Sequence, residues 1–325
     1  MIGFVINRSR PAEKLGIIIC TRNRPQYLEN LMQSISQSKT KPGQIVLVSS
    51  GEDVEKIISP YSELLNIEHI HTEKIGQSNQ KVIGISSIDT DIDWVFFLDD
   101  DLLLLPDTID FVFAKIHQIN GKNVAGIGTQ IMPVGEPLTP NKRDKTNISK
   151  KKLGKILKSG RALPYQSPIE TNTEWLNGAS IWKREVLQKY KFPLLDSKYA
   201  AYEDVIFSAE VNKSYELIYD PKIKIREQIS HNKLQPNLSA FKYINLWTGY
   251  FVCIDSRTKL SSFKILTVLR LLKFSTQKLN VRHAQRNDFT KALKFTLLLI
   301  ALPKDKVKSR EIILNLIRKE TSFNS

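Results

Sequence analysis

The sequence predicts an α/β fold, a mostly parallel sheet with helices on both faces, followed by a basic helical extension. Apolar, strand-like runs alternate with helically periodic segments from residue 15 to residue 221, and such alternation is typical of parallel sheets. An aspartate triplet directly follows one of these strands, and the positive charge is concentrated in two segments. With 325 residues, 41% of them hydrophobic and 25% charged, the chain can bury a sizeable core.

Each element is predicted by a local pattern. The β-branched run at 15–20 predicts the first strand, and apolar residues that recur at helical spacing after Pro25 predict the first helix. The segment 174–182 is strand-like but is interrupted by Gly178. Further strands are predicted at 44–48, 67–71, 94–98, 123–128 and 217–221, and further helices at 54–65, 81–87, 108–119, 184–190 and from residue 202.

The charge distribution separates a mildly acidic body from two basic segments. Residues 142–161 hold nine Lys or Arg and one Asp, and residues 258–325 hold fifteen Lys or Arg and four Asp or Glu. The remaining residues therefore carry −4 of the net charge of +15. A nucleic-acid-binding core would have the opposite distribution, so no nucleic-acid partner is predicted for the sheet.

The composition also predicts the organisation and location of the chain. Residues 1–235 form the predicted sheet domain, with a flexible basic surface loop at about 134–168, and residues 236–325 form the helical extension. Two cysteines are too few for a disulfide framework. The apolar runs are shorter than the roughly 18 residues that span a bilayer, and the first residues lack a signal-peptide pattern, so we expect a cytoplasmic location.

Two acidic groups are candidates for chemistry. Asp99, Asp100 and Asp101 end a hydrophobic strand, where ligands bind in open α/β sheets. Their carboxylates repel one another unless a cation compensates, although a solvated acidic turn is the alternative. Glu203 and Asp204 open a helix, where the helix dipole favours carboxylates, so capping is the alternative to catalysis.

Four pieces of sequence, in this order, resemble the family 2 glycosyltransferases with the GT-A fold, of the bacterial cell-surface polysaccharide type. The resemblance covers about residues 15–235. The pieces are Ile-Ile-Cys20-Thr-Arg-Asn-Arg-Pro, Phe-Phe-Leu-Asp99-Asp-Asp, Trp175-Leu-Asn-Gly-Ala and Tyr202-Glu-Asp.

The resemblance implies a metal site and a catalytic base. Asp101 would bind Mn²⁺ or Mg²⁺, Asp99 would reach the metal, the ribose or both, and a hard cation bridging the donor diphosphate suits carboxylate ligands. His231 would be a third metal or phosphate contact, with a surface histidine as the alternative. Asp204 would deprotonate the acceptor hydroxyl, with Glu203 as its orienting or acceptor-binding neighbour, and transfer would invert the anomeric centre.

The resemblance also implies binding residues for the two substrates. At the end of the second strand the family usually has an Asp that binds the base, whereas this chain has serines, and it has lysine at a diphosphate contact that is usually Arg. The aromatic Trp175 could stack on a sugar or lie in the core. The donor residues are Thr21, Arg22, Asn23, Arg24, Ser49, Ser50, Lys81 and Asp100, and the acceptor residues are Trp175, Asn177 and Gly178.

The basic extension has amphipathic stretches at 262–274, 289–302 and 312–317. Such helices can lie in a membrane interface and are attracted to anionic lipid. We therefore predict a peripheral enzyme at the inner face of the plasma membrane, contacting it through 262–320 and acting on a glycan or lipid-linked glycan. Packing of these helices on the sheet domain or on a second subunit, as in a homodimer, is the alternative.

Two functions are alternatives to the transfer of a sugar from a nucleotide-diphosphate sugar donor. A nucleotidyltransferase would carry a glycine-rich, lysine-containing phosphate loop near the first strand, and the sequence has none. A basic membrane- or nucleic-acid-binding protein with a catalytically inactive sheet domain remains the alternative.

Overall fold

The computed structural model describes residues 14–74, 76–135, 152–193, 202–229, 237–278 and 286–322. These residues form a mixed α/β domain and a C-terminal helical bundle. The strands are β1 Leu15–Arg22, β2 Gln44–Ser50, β3 Ile67–His71, β4 Trp94–Asp99, β5 Leu102–Leu104, β6 Val124–Met132, β7 Thr171–Thr173, β8 Ser180–Lys183 and β9 Glu216–Glu227. The helices are α1 Pro25–Ser36, α2 Glu55–Ile58, α3 Gln77–Ser87, α4 Thr108–Gln118, α5 Arg184–Lys189, α6 Glu203–Val211, α7 Leu238–Ile254, α8 Leu260–Lys278, α9 Arg286–Ile300 and α10 Lys306–Ser322.

The described strands form one sheet in the order β3-β2-β1-β4-β8-β6-β9-β5, with β7 beside β9. The first four strands in this order are parallel, as the strand–helix alternation predicts. Strands β1, β2 and β4 are buried on both faces because alternate residues enter two different cores: Ile17 and Phe96 pack in one, and Ile18 and Phe97 in the other. The edge strand β3 is only partly buried. In this register Cys20 lies opposite Asp99, so the residues that follow β1 and β4 lie at the same edge of the sheet.

The second half of the sheet departs from the sequence prediction. β8 runs antiparallel to both β4 and β6, and the predicted strand at 174–182 is wrong before residue 180. Residues 174–179 form a loop because their backbone groups bond to side chains of other segments: the amide of Leu176 donates to Ser208 Oγ, and the amide of Asn177 to Tyr165 Oη. The three-residue strands β5 and β7 were too short to predict.

The predicted surface loop at 134–168 is described only in part, since residues 136–151 lie outside the described residues. In residues 152–168, Leu153, Leu163 and Tyr165 are buried. The ring centres of Tyr165 and Trp175 lie 5.0 Å apart. Residues 152–168 are therefore packed against the sheet domain and do not form a wholly exposed loop.

The C-terminal extension is a four-helix bundle with its own hydrophobic core. Trp247, Phe263, Leu299 and Ile313 are buried there, and Tyr202 and Ile206 at the start of α6 pack against the same core. The bundle therefore contacts the sheet domain through the helix that begins with Glu203. Helix α7 was not predicted, because its mostly apolar sequence has only a weak amphipathic pattern. Within the described ranges, no helix combines the length and apolarity needed to cross a bilayer.

Candidate active site

The carboxyl ends of β1 and β4 border an open cleft of about 370 Å³. This is the sheet edge at which ligands bind in open α/β folds. The first turn of α3 forms one wall of the cleft, and Gly76, which precedes it, has a φ of +112° that favours glycine. The lining residues are Cys20, Thr21, Arg22, Arg24, Gly76, Gln77, Gln80, Asp99, Asp100 and Asp101.

The three aspartates have different surroundings. Asp100 is buried and accepts hydrogen bonds from Thr21 Oγ1 at 2.8 Å and Arg24 Nη1 at 3.0 Å. Arg24 also lies 3.2 Å from Asp101 Oδ2. Burial raises the pKa of Asp100, while its bonds to Thr21 and Arg24 oppose that shift. Arg24 therefore compensates part of the repulsion within the triplet, and Asp100 fixes the loop after β1.

Asp99 is the member of the triplet that faces helix α3 and Gly178, in the loop before β8. Gln77 Nε2 donates to Asp99 Oδ1. Burial raises the pKa of Asp99 to about 6, the cation of Lys81 lowers it, and the neighbouring Asp101 raises it. Two carboxylates in one cleft suit a hard divalent cation. Within the residues that the structure describes, no three His, Cys, Asp or Glu side chains come together as a group that could hold a metal ion.

A buried ion pair connects this triplet with the second acidic group. Lys81 Nζ lies 3.1 Å from Glu203 Oε1, and both side chains are almost fully buried. The ammonium also lies 5.6 Å from the centre of the Phe97 ring and 5.3 Å from that of Phe192. Burial lowers the pKa of Lys81, but the charge of Glu203, followed by that of Asp99, outweighs it and raises the pKa. Lys81 is therefore protonated, between the two acidic groups.

Asp204, the residue after Glu203, has a strongly perturbed pKa. Its Oδ1 accepts the amide of Val205 at 2.8 Å. Burial raises the pKa of Asp204 to about 7, the charge of Glu203 adds to the shift, Lys81 opposes it, and Asp99 contributes a further increase. A carboxylate whose pKa is close to neutral pH is suited to accept a proton from a substrate.

Tyr202 and Gly178 lie next to the two acidic groups. Tyr202, just before the pair, has a φ of +93°, and its hydroxyl donates to Gly160 O and accepts the amide of Ala162. Such left-handed strain in a non-glycine residue is concentrated at functional sites. A Cβ on Gly178 would lie 3.4 Å from Asp99 Oδ2, an ordinary contact distance, so the loop before β8 passes beside Asp99.

The predicted acceptor residues lie beside Asp204. Asn177, Gly178, Lys81 and Asp204 all border a cavity of about 10 Å³. Among the described residues, Asn177 Oδ1 is a buried acceptor with no hydrogen-bond partner. Trp175 donates its indole N–H to Leu163 O at 2.8 Å, so the structure places it in a packing role between the sheet domain and residues 152–168.

The predicted nucleotide-binding residues are divided between the cleft and the protein interior. Arg22 is exposed at the cleft, and Asn23, with a φ of +53°, accepts the amide of Glu52. Ser49 and Ser50 are buried: Ser49 Oγ is bonded to His69 and His71, and Ser50 Oγ accepts from Gln80 at 3.4 Å. His231 lies outside the described residues.

The sequence reasoning missed two glutamines of α3. Gln77 bonds to Asp99, and Gln80 Nε2 donates to Thr21 O at 2.9 Å and to Val48 O at 3.1 Å. A signal was present, because both occupy one side of the first turn of a helix that follows a glycine.

The comparison with known families agrees with this geometry. The profile of the family described as Glycosyl transferase family 2 matches residues 16–178, half of the chain. The chain belongs to the family 2 glycosyltransferases. The matched region includes the aspartate triplet and Gly178, whereas Glu203 and Asp204 lie beyond it.

Solved structures show that this family 2 glycosyltransferase has the GT-A fold. The match to the structure of S. aureus TarS 1–349 has a TM-score of 0.56 at 14% identity and covers 96% of this chain and 88% of the TarS chain. The match to the Pyrobaculum calidifontis mannosyltransferase PcManGT, in complex with GDP-Man and Mn²⁺, has the same TM-score, identity and coverage of the two chains. TarS 1–349 in complex with UDP-GlcNAc has a TM-score of 0.54 at 15% identity, covering 96% of this chain and 89% of its own. No curated protein matches the sequence.

Proposed function

We propose that this protein is an inverting, metal-dependent glycosyltransferase that moves a sugar from a nucleotide-diphosphate sugar to a hydroxyl of a glycan or lipid-linked glycan. The observation that carries the proposal is the electrostatic continuity between the cleft aspartates and Asp204. Lys81 pairs with Glu203 and interacts with both Asp99 and Asp204, so the two acidic groups belong to one site. Family membership, and fold relatives crystallised with UDP-GlcNAc or with GDP-Man and Mn²⁺, support it.

The donor would bind in the cleft with its diphosphate at Asp99 and Asp101. The exposed guanidinium of Arg22 is available to stack on the base. Mn²⁺ or Mg²⁺ held by Asp99 and Asp101 would neutralise the charge that develops on the departing diphosphate. Lys81 is buried against Glu203, so its part in the reaction is to set the charge and position of that carboxylate and not to clamp a phosphate directly.

The acceptor would bind on the side of Asp204, Asn177 and Gly178. The ionised Asp204 takes the proton of the acceptor hydroxyl as that oxygen bonds to the anomeric carbon, while the bond from that carbon to the diphosphate oxygen breaks. Attack from the side opposite the leaving group inverts the anomeric centre. The unpartnered oxygen of Asn177 is suited to accept a hydrogen bond from an acceptor hydroxyl.

We further propose that the acceptor belongs to a bacterial cell-surface polysaccharide pathway and that the enzyme works at the inner face of the plasma membrane, in contact with anionic lipid through residues 262–320. The positive charge of residues 258–325 supports this location.

Turnover of donors tests the transferase proposal. The full chain is incubated with Mn²⁺ and a panel of UDP-, GDP- and dTDP-sugars, and released nucleoside diphosphate is measured. We expect release from one donor class, loss of release with a chelator, and, by proton NMR of the first product formed, an anomeric configuration opposite to that of the donor.

The outcome that would contradict the proposal is the absence of release with every donor. If that result came with tight, salt-sensitive binding to nucleic acid, the protein would instead be a basic binding protein with an inactive sheet domain.

A further inference from the structure

The C-terminal bundle leaves an apolar face uncovered. Ile265, Leu269 and Leu272 of α8 are 63%, 57% and 56% exposed, and Leu297 of α9 is 55% exposed. Helices α8 and α9 contact each other, and both contact α7, so their outward sides lie next to each other. We call this surface the outer face; its apolar residues are Ile265, Val268, Leu269, Leu272, Phe289, Leu293, Leu297 and Leu298.

The outer face is not the side of these helices that builds the bundle. On α8, Phe263, Leu271 and Phe274 are buried in the bundle core. Helix α8 therefore carries apolar residues on both its inner and its outer side. Because the inner side already builds the bundle core, the outer apolar residues are not needed for that packing, and a contiguous exposed apolar face of this kind is typical of a site of interaction with a protein or a membrane.

The charges on and around the outer face are predominantly positive. Residues 260–300 contain eight Lys or Arg and one acidic residue, Asp288. Lys273, Lys291 and Lys294 are exposed, and none of them forms an ion pair within the described part of the chain. Asp288 already interacts with another group. The face therefore combines large apolar side chains with uncompensated cations.

We infer that the outer face docks on an anionic lipid bilayer. The leucines and isoleucine enter the headgroup boundary, and the lysines bind lipid phosphates and carboxylates. A second copy of the chain fits the face less well, because self-pairing would bring the lysines of both copies together without carboxylates to compensate them. The inference identifies the surface for the membrane contact proposed above, and it does not depend on sugar transfer.

The bundle that α8 helps to build also contacts the candidate active site. Tyr202, the residue before Glu203, packs against the bundle core to which Phe263 and Leu271 of α8 contribute. Docking through α8 would thus hold the candidate base in a fixed relation to the bilayer, which suits an acceptor attached to lipid.

Vesicle co-sedimentation of the full chain tests the inference. We expect binding to phosphatidylserine-containing phosphatidylcholine vesicles and little binding to pure phosphatidylcholine. The combined substitution of Lys273, Lys291 and Lys294 by Gln should weaken binding on the order of 100-fold, from roughly fivefold per lysine. The substitution Ile265→Glu with Leu269→Glu and Leu297→Glu should weaken it at least as much. Leu64→Glu, at a leucine of the sheet domain that is 56% exposed, should leave it unchanged.

Several outcomes would overturn the inference. Equal binding by the lysine variant and wild type would exclude anionic docking through this face. A dimer in analytical ultracentrifugation that the Glu variant dissociates, without vesicle binding, would make the face a contact between copies. Asp204→Asn should bind vesicles like wild type whether or not donor turnover is found, so failure of docking and failure of the transferase proposal are separate results.

Discussion

Replacing Asp204 with Asn should make the protein more stable and nearly inactive. The side-chain oxygen of Asn can still accept the amide of Val205, as Asp204 Oδ1 does at 2.8 Å. What is lost is the ionisable carboxyl, which burial and the charge of Glu203 hold at a pKa of about 7. Sugar transfer should fall by at least about 10²-fold, since a general base contributes that much or more, while donor binding should change little.

The stability effect has a definite sign and pH window. In the unfolded chain an Asp ionises near its ordinary value, whereas Asp204 in the folded protein holds its proton up to about pH 7. Between these values the folded state binds more protons, so the contribution of Asp204 to stability falls as pH rises. From about pH 5 to about pH 7 the loss is about 2 kcal/mol, because each pH unit below the folded pKa contributes roughly 1.4 kcal/mol and the slope falls to half at that pKa. Asn does not titrate and avoids this loss.

Urea denaturation of both proteins at about pH 5 and about pH 8 measures the effect. The variant's advantage over wild type should grow by about 2.5 kcal/mol between those conditions. Asp305→Asn is the matched control, because Asp305 is exposed and also accepts a backbone amide, that of Lys308. An advantage that stays constant with pH, or a variant with full transfer activity, would refute the role assigned to Asp204.

Two further predictions concern charge and backbone. Lys81→Met should cost about 3–5 kcal/mol in urea denaturation because it leaves Glu203 buried and unpaired, and adding Glu203→Gln should recover much of that loss; strictly additive effects would contradict the ion pair. Gly51→Ala should destabilise more than Gly121→Ala and should weaken donor binding in calorimetry. Both glycines have positive φ, but a Cβ at Gly51 would meet Asn23 Oδ1 at 2.0 Å while Gly121 is open; equal effects would exclude that contact.

The sheet was predictable where periodicity and burial coincide. The β1, β2 and β4 sequences are apolar runs because both faces of those strands are covered, and that pattern needs no knowledge of the neighbours. The strand predicted at β8 begins too early because residues 174–179 are as strand-like as those of β8 itself. Hydrogen bonds to two side chains distant in sequence, Ser208 and Tyr165, hold these residues in a loop. Long-range bonds of this kind leave no local signal.

The sequence indicates which residues the candidate site contains better than it indicates how those residues contact one another. The sequence indicated that Asp99, Lys81 and Asp204 belong together, but predicted a phosphate contact for Lys81, whereas the structure pairs it with Glu203. Compensation of the triplet by Arg24 could not be foreseen, because it depends on how the loop after β1 folds back. In the C-terminal region the predicted apolar stripe of α8 is real, but its exposure depends on how the bundle packs.

The central claim is that a divalent ion joins the cleft aspartates to a nucleotide's diphosphate. Titration calorimetry of UDP, GDP and dTDP into the full chain, with Mn²⁺ or with a chelator, tests it most directly. We predict that Mn²⁺ strengthens binding of one nucleotide at least about tenfold and that Asp101→Asn abolishes the gain. Binding that is equally strong with the chelator, or a gain that survives in Asp101→Asn, would contradict the claim.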